Sequence, residues 1–264
     1  MAQDIHRTYS QSIPNPRGNL QITEPQQNDE LLQASVDQQS LKAIHAAHST
    51  QLNAMRDRFP DASVLTLIKF LKARDFDETK AARMYQNHLK WRQNNLPIPY
   101  AVVEATLATR KFYMLDSSDR DGRPILVYCL RRFKEMPYVV EKEIKAVIHV
   151  LENQGIPLLG PSLEDQKFTV LIYVSGVRAP PLSFLQQMNS VMEANYPESL
   201  HKCIMLPVPQ WVQKMITTLL VFVAEETRSK FFYVNDIKAL EECANVHLEK
   251  MGPDIQKLVK IGQL

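Results

Sequence analysis

The stretch that decides the fold runs from Tyr196 to Val234 and reads YPESLHKCIMLPVPQWVQKMITTLLVFVAEETRSKFFYV. Its regular structure begins with a short apolar strand, predicted over Cys203 to Val208, and a helix follows from Pro209. A second apolar strand, Phe231 to Val234, closes the stretch. Strand, helix and strand in this order predict a parallel β-α-β unit.

The helix of this stretch, predicted over residues 209–224, has an unusual distribution of apolar side chains. Its first turns carry an apolar stripe, which is typical of a buried helix face. Its last turns, Leu219 to Val223, are apolar on every side, unlike a helix at the surface of a globular protein. Charge then returns in the block Glu225 to Lys230. The helix is therefore interpreted either as a core helix on a sheet or as the wall of an apolar cavity. The predicted wall residues are Trp211, Met215, Leu219, Phe222 and Val223.

Length and charge limit the classes of function. The 264 residues suffice for one large domain or two small ones. A net charge of +2 is too small to indicate a nucleic-acid partner or to hold the chain on an anionic membrane. No stretch approaches the roughly 20 apolar residues of a transmembrane helix, and the first residues lack a signal-peptide core. A cytoplasmic protein is expected.

Several kinds of chemistry are not indicated. Cys129, Cys203 and Cys243 are odd in number and lie in apolar segments, so they are interpreted as buried free thiols. The seven glycines form no phosphate-binding loop, and no hydrolase elbow or metal-binding histidine motif occurs. The D-x-D-G at residues 119–122 fails as a calcium loop, because Tyr128 stands where a bidentate Glu is needed. No metal site is predicted.

The chain divides into three parts. Residues 1–37 are polar and form a predicted mobile arm. Residues 38–98 have helical periodicity, with Asp77 as a predicted N-cap, and form a helical unit. Residues 99–264 alternate strand and helix, which predicts a mainly parallel sheet with helices packed against it.

Four motifs in order resemble those of the CRAL-TRIO lipid-binding family. The first is LIKFLKARDFD at 67–77, followed by HLKWR at 88–92. DRDGRP at 119–124 precedes a strand, and YPESLHK at 196–202 and TRSK at 227–230 complete the set. The set covers roughly residues 40 to 250, and the chain resembles in particular the yeast-type phosphatidylinositol/phosphatidylcholine transfer proteins.

The resemblance implies an α/β fold in which a sheet floors a lipid cavity under a gate helix, residues 209–224. It also implies a lipid-binding and lipid-transfer protein that is not an enzyme, with a bound phospholipid as cargo and no cofactor. Exposing an acyl chain of about sixteen methylenes to water would cost on the order of 13 kcal/mol. The gate is therefore expected to open at a membrane surface, which the protein contacts transiently.

The resemblance further implies a phosphoinositide headgroup site formed by Arg74, Glu198, Thr227 and Lys230. Cations around a phosphodiester make charge-assisted hydrogen bonds, and Glu198 would pair with Lys230 or accept from inositol hydroxyls. The alternative is an ordinary salt bridge that ties the gate to the sheet.

Two departures from the family pattern affect the choice of ligand. Asp75 stands where phosphatidylinositol-transfer members carry a basic residue. Phe168 and Val170 stand where dual-specificity members carry the polar residues that hold choline, so phosphatidylcholine is not expected as a second ligand. Two alternatives stay open: a carrier of a sterol, a tocopherol-like or another hydrophobic ligand, and a lipid-sensing adaptor whose N-terminal arm binds a protein partner.

Overall fold

The computed structural model describes residues 24–132, 139–174, 181–208, 210–219, 225–235 and 237–244. The helices and strands are α1 Glu24–Arg58, α2 Val64–Lys72, α3 Glu78–Asn95, α4 Tyr100–Ala108, β1 Phe112–Ser118, β2 Pro124–Cys129, α5 Val140–Val150, β3 Phe168–Tyr173, α6 Leu182–Asn195, β4 Leu200–Leu206, α7 Gln210–Leu219, α8 Glu225–Arg228, β5 Phe231–Tyr233 and α9 Ile237–Ala244. Short 3₁₀ turns cover Leu130–Arg132 and Ile156–Leu158, and α5 continues as a π-helical turn over Leu151–Gly155.

Helices α1, α2 and α3 form a helical unit with its own apolar core. Helices α2 and α3 each begin at an N-cap side chain. The Ser63 side chain accepts a hydrogen bond from the backbone amide of Thr66, and the Asp77 side chain accepts one from the backbone amide of Lys80. The N-cap predicted at Asp77 is thus confirmed. The buried residues of this core are Leu52, Met55, Leu67, Ile68, Phe70, Leu71, Ala81, Ala82, Met84 and Tyr85.

Helix α1 is longer than the sequence indicated. It begins at Glu24, within the range predicted as a polar arm, and has a kink at His48. Leu41 and Ile44 of α1 pack against the core of the helical unit. The division of the chain at residues 37 and 98 stays a prediction.

The five strands form one sheet in the order β1-β2-β3-β4-β5. β1 pairs with β2 antiparallel, and the three remaining pairs are parallel. The predicted fold class, a helical unit followed by a mainly parallel sheet, is confirmed. Because parallel crossovers are right-handed, a sequential strand order places the connecting helices on one face of the sheet.

The two faces of the sheet are packed differently. One face, here called the sealed face, is buried against α9 through Leu240. The other, here called the open face, packs against α4, α5, α6 and α7. The side chains of each strand alternate between the two faces, as in any pleated sheet.

The predicted gate helix is only partly described. Helix α7 covers Gln210–Leu219, and residues 220–224, which include Phe222 and Val223, lie outside the described residues. The charged block that follows contains the short helix α8.

Candidate functional site

The open face of the sheet has an apolar surface that the protein itself does not bury completely. Val170 and Ile172 lie on β3, the central strand, yet both are only half-buried. Between them Leu171 faces the sealed side and is buried, like its neighbour Ile204 on β4. Other half-buried apolar residues on the open side are Phe231 and Tyr233 of β5, Leu185, Met188 and Met192 of α6, and Ile216 of α7.

This difference between the faces indicates a place for an apolar ligand. Central strands of a sheet that is covered on both faces are normally buried on both. Half-buried Val and Ile side chains at this position leave apolar area that a hydrophobic ligand would bury. We call this surface, formed by the half-buried residues of β3, β5, α6 and α7, the apolar floor.

Helix α7 contributes Ile216 to the apolar floor. Ile216 packs against the core on the open face, whereas Lys214, Thr217 and Thr218 are exposed. One side of α7 therefore faces the sheet and the other faces solvent. The backbone positions of the predicted wall residues Trp211, Met215 and Leu219 lie on this helix.

The amino ends of the parallel strands form a charged edge next to the floor. Because β2, β3, β4 and β5 run in the same direction, the residues that precede them meet at one edge of the sheet. Those residues include Arg123, Lys167, Glu198 and Lys230. Three of the four predicted headgroup residues, Glu198, Thr227 and Lys230, thus lie at or next to this edge.

Backbone hydrogen bonds fix these residues to the sheet. The amide of Cys203 donates to the carbonyl of Lys230 at 2.8 Å. The amide of Lys230 in turn donates to the carbonyl of Thr227 at 3.1 Å. The amide of Phe168 donates to the carbonyl of Ser199 at 2.7 Å. Thr227 and Lys230 are both half-buried.

Helix α2 contacts the charged edge through two lysines. Lys72 Nζ lies 3.1 Å from Glu198 Oε2, with 35% and 15% of the two side chains exposed. Lys69 Nζ donates to Ser199 Oγ at 2.9 Å and to the carbonyl of Gln166 at 3.4 Å. Glu198 itself has a φ of 54°, a conformation that a non-glycine residue adopts rarely. The helical unit and the strand ends are therefore joined at Glu198.

The electrostatic environment of this edge shifts two pKa values. Burial lowers the pKa of Lys69 to about 8, an effect that the Glu198 carboxylate opposes and Lys167 reinforces. Burial, aided by the cations Arg123, Lys202 and Lys167, lowers the pKa of His201 to about 4. In both cases burial is the main cause, because it disfavours the charged form of a basic side chain.

The predicted headgroup residues are only partly brought together. The ion pair described for Glu198 is with Lys72 and not with Lys230. Arg74 lies just beyond the end of α2, is exposed, and donates from Nη1 to the carbonyl of Ala73 at 2.6 Å. The roles of Arg74, Glu198, Thr227 and Lys230 in binding a headgroup remain predictions.

The sequence analysis missed Lys69 and Lys72. A signal was available, because their i, i+3 spacing places both on one side of α2. Ser199, directly after Glu198, was missed as well. In the sequence, only its position next to Glu198 would have indicated Ser199.

The turn at 119–124 is structural. Asp119 Oδ1 accepts from the amides of Asp121 and Arg123 at 3.1 and 2.8 Å, and Oδ2 accepts from the Thr169 hydroxyl at 3.2 Å. Gly122 has a φ of 83°, which a turn of this shape requires. The carboxylate thus ties the turn to β3.

A pocket of about 380 Å³ lies between α3 and α5. Its walls include Arg92, which forms a bidentate ion pair with Glu152, with N–O distances of 2.8 and 3.0 Å. The Tyr196 hydroxyl donates to the same carboxylate at 2.7 Å, and burial raises the pKa of Tyr196. These charged groups are already paired within the protein.

Other chemistry finds little support in the residues that the structure describes. Among them no three His, Cys, Asp or Glu side chains come together as metal ligands. Cys129 and Cys203 are buried thiols as predicted, whereas Cys243 is only partly buried; burial raises the pKa of Cys203 to about 12. None of the described helices combines the length and the apolar character needed to cross a membrane.

Comparison with known proteins identifies the family. The family model of the CRAL/TRIO domain matches residues 107–250, more than half of the chain. The chain belongs to the CRAL/TRIO domain family. Membership implies binding and transfer of a lipid or another hydrophobic ligand, and members are generally carriers and not enzymes.

The curated relatives are distant and longer. "Protein real-time" of Aedes aegypti is 26% identical over 185 residues, which cover 64% of this chain and 28% of that protein. Patellin-4 of Arabidopsis thaliana is 28% identical over 198 residues, which cover 69% of this chain and 35% of that protein. The chain spans about a third of the length of these relatives.

A solved structure supports the fold. The crystal structure of Sfh5 matches with a TM-score of 0.56 over 79% of this chain and 82% of that one. At 18% sequence identity this likeness concerns the fold alone.

Proposed function

We propose that this protein binds phosphatidylinositol and transfers it between membranes. The observation that carries the proposal is the apolar floor, where Val170 and Ile172 of the central strand are only half-buried. The acyl chains would lie on this floor beneath α7. The inositol phosphate headgroup would lie at the charged edge formed by the amino ends of the same strands.

The charged edge supports an anionic headgroup with a polyol. Lys230 and Arg74 would donate to the phosphodiester, and the Thr227 hydroxyl would donate a further hydrogen bond. Glu198 would accept from inositol hydroxyls. Lys72 lies 3.1 Å from Glu198 and supplies a cation near the turn where Asp75 replaces the basic residue expected from the family pattern.

Transfer requires the cavity to open where water is absent. Acyl chains leave the floor at low cost only if bilayer replaces the contacts that they lose. The predicted gate over residues 209–224 would therefore move at a membrane surface, where its apolar end contacts lipid. Transient membrane contact and a cytoplasmic location are parts of the same proposal.

A second candidate keeps the floor and changes the ligand. Glu198 is already paired with Lys72, and Arg74 already donates to a backbone carbonyl. If these bonds persist in the loaded protein, the edge is structural and the ligand is a neutral lipid such as a sterol or a tocopherol-like molecule.

Native mass spectrometry of the purified protein, followed by extraction of bound lipid, separates the two candidates. We expect an inositol phospholipid at one molecule per chain. Recovery of neutral lipid alone would contradict the headgroup assignment and leave the apolar floor supported. A protein that retains no lipid after exposure to mixed vesicles would contradict both.

A transfer assay tests the headgroup residues. Arg74→Ala and Lys230→Ala are expected to slow phosphatidylinositol transfer, with Lys145→Ala as a matched loss of an exposed cation elsewhere. Lys145 forms an exposed pair with Glu141 on α5. Equal transfer by all four proteins would reduce Arg74 and Lys230 to structural residues.

A further inference from the structure

The outer face of α3 carries positive charge that the proposed cargo site does not use. Lys80, Arg83 and Lys90 fall on one side of the helix at 3.6 residues per turn, and all three are exposed. The other exposed residues on this side are polar and uncharged, namely Thr79, Gln86, Asn87, Gln93 and Asn94. The only acid within α3, Glu78, falls on a different side. We call this surface the basic face of α3.

The small overall charge hides a strong local excess. Residues 38–98 contain ten Lys and Arg but five Asp and Glu, a net +5, whereas the whole chain has +2. The rest of the chain is therefore acidic on balance. The expectation that the protein is too weakly charged for an anionic surface holds for the average charge but not for the helical unit.

The three cations of the basic face form few ion pairs within the described part of the protein. Lys80 pairs with Asp77 at 2.9 Å, but 71% of the Lys80 side chain is exposed, and such pairs are weak. Within the described part of the chain, Arg83 and Lys90 form no ion pair. The opposite side of α3 does the packing, through Ala81, Ala82, Met84, Tyr85 and His88.

We propose that the basic face of α3 is a docking surface for anionic phospholipid membranes. A membrane fits better than an acidic protein because protein interfaces depend on buried aromatic or aliphatic anchors. At its borders Leu89 is 36% exposed, and Trp91 is half-buried and packs against the core, so neither side chain projects from the face as an anchor. Separated cations and amides suit a layer of phosphates, in which each Lys or Arg raises the affinity roughly fivefold.

This surface is independent of the cargo that the cavity holds. It needs no particular headgroup at Glu198, and it would orient the helical unit towards the bilayer before the gate opens. Three separate cations give reversible binding, which a carrier that leaves the membrane after exchange requires.

Vesicle co-sedimentation of the full chain tests the proposal. The vesicles are pure phosphatidylcholine or phosphatidylcholine containing phosphatidylserine. The variant Lys80→Gln, Arg83→Gln, Lys90→Gln is expected to bind the phosphatidylserine vesicles about a hundredfold more weakly than the parent, at about fivefold per cation. Binding to pure phosphatidylcholine should not change.

A matched control removes the same charge elsewhere. Arg120, Lys142 and Lys238 are exposed and lie outside the helical unit, so their combined change to Gln should leave binding close to that of the parent. Circular dichroism checks the fold of both variants, and mass spectrometry checks that their cargo is unchanged. The proposal is overturned if the two variants lose binding equally, or if the parent does not prefer phosphatidylserine vesicles.

Discussion

At the scale of single residues, the contact between Lys72 and Glu198 alters the expected headgroup site. The motif at 196–202 identifies Glu198, but its partner at 3.1 Å comes from α2, in a different part of the chain. A partially buried carboxylate without its cation is costly, so the two residues are expected to act together.

We predict that Lys72→Ala weakens retention of phosphatidylinositol about tenfold, which corresponds to roughly 1.4 kcal/mol. The reason is that the charged edge loses its cation nearest Glu198. The measurement is the rate at which labelled lipid leaves the protein for acceptor vesicles. Lys145→Ala serves as the control, and an unchanged rate for Lys72→Ala would show that the pair is structural.

We predict that Lys69 gives the protein a pH-dependent stability between about pH 8 and pH 10.5. The folded pKa is near 8, so over this range the unfolded chain binds the additional proton, and the free energy of unfolding rises with pH. The full rise is on the order of 3 kcal/mol. Cys203 and Tyr196 also titrate in this range, but they are present in both proteins, so urea unfolding should show that the free energy of unfolding of the parent rises relative to that of Lys69→Met as the pH increases. Parallel pH profiles would contradict the burial of a charged amine.

The sequence points to some residues of the charged edge and not to others for a physical reason. Glu198 and Lys230 belong to local motifs, whereas Lys69 and Lys72 acquire their partners only when α2 docks on the strand ends. A side chain that acts through a long-range contact leaves only a weak signal, here the i, i+3 spacing on α2.

At the scale of elements, β3 separates the two properties of the sheet. Its odd-numbered Leu171 and Tyr173 are buried on the sealed face, and its even-numbered Val170 and Ile172 are half-buried on the open face. Neighbouring residues of one strand therefore have different roles.

We predict opposite outcomes for the same substitution at adjacent positions. Ile172→Trp should fill space above the apolar floor and abolish lipid retention while leaving the melting temperature nearly unchanged. Leu171→Trp should overpack the sealed face and destabilise the fold by about 1–3 kcal/mol. Lipid extraction and thermal unfolding measured on both variants check this. A large loss of stability in Ile172→Trp would mean that the floor is ordinary core.

Most elements could be predicted from the sequence, because their apolar periodicity is strong. Strands β4 and β5 overlap the strands predicted at Cys203 to Val208 and Phe231 to Val234, and α3 begins directly after the predicted N-cap Asp77. Helix α4 and strand β1 were missed. β1 reads FYMLDSS and is an edge strand whose polar end gives little strand signal, and its antiparallel pairing breaks the β-α alternation.

At the scale of the whole molecule, the helical unit and the sheet are joined by polar contacts that are buried or partly buried. Arg92 of α3 binds Glu152 beyond α5, and His88 of α3 lies 3.2 Å from Asn195 of α6. The apolar Leu163, from the loop before β3, packs against the core of the helical unit. Such contacts join the two parts into one structure.

We predict that Glu152→Gln lowers the free energy of unfolding by about 2 kcal/mol. The carboxylate is 14% exposed, and its loss weakens the two-pronged bond to Arg92 and the bond from the Tyr196 hydroxyl. The control is Glu141→Gln, which breaks an exposed pair and should cost less than about 1 kcal/mol. Chemical denaturation measures both, and equal losses would contradict the prediction.

The overall architecture was accessible from the sequence, but the way its parts fit together was not. Alternation of strands and helices is a local pattern that predicts a parallel sheet. The docking of α2 and α3 depends on pairs such as Arg92 and Glu152, 60 residues apart in the chain, whose partnership no periodicity encodes.

The unequal packing of the two sheet faces has a consequence for how such proteins diverge. Substitutions at positions that face the sealed side disturb the fold, whereas those at alternate positions, such as 170 and 172, mainly reshape the space offered to cargo. A randomised library at the floor positions should therefore yield many folded proteins with different lipid preferences, while an equally large library on the sealed side should yield few. In this fold, a change of cargo needs no change of scaffold.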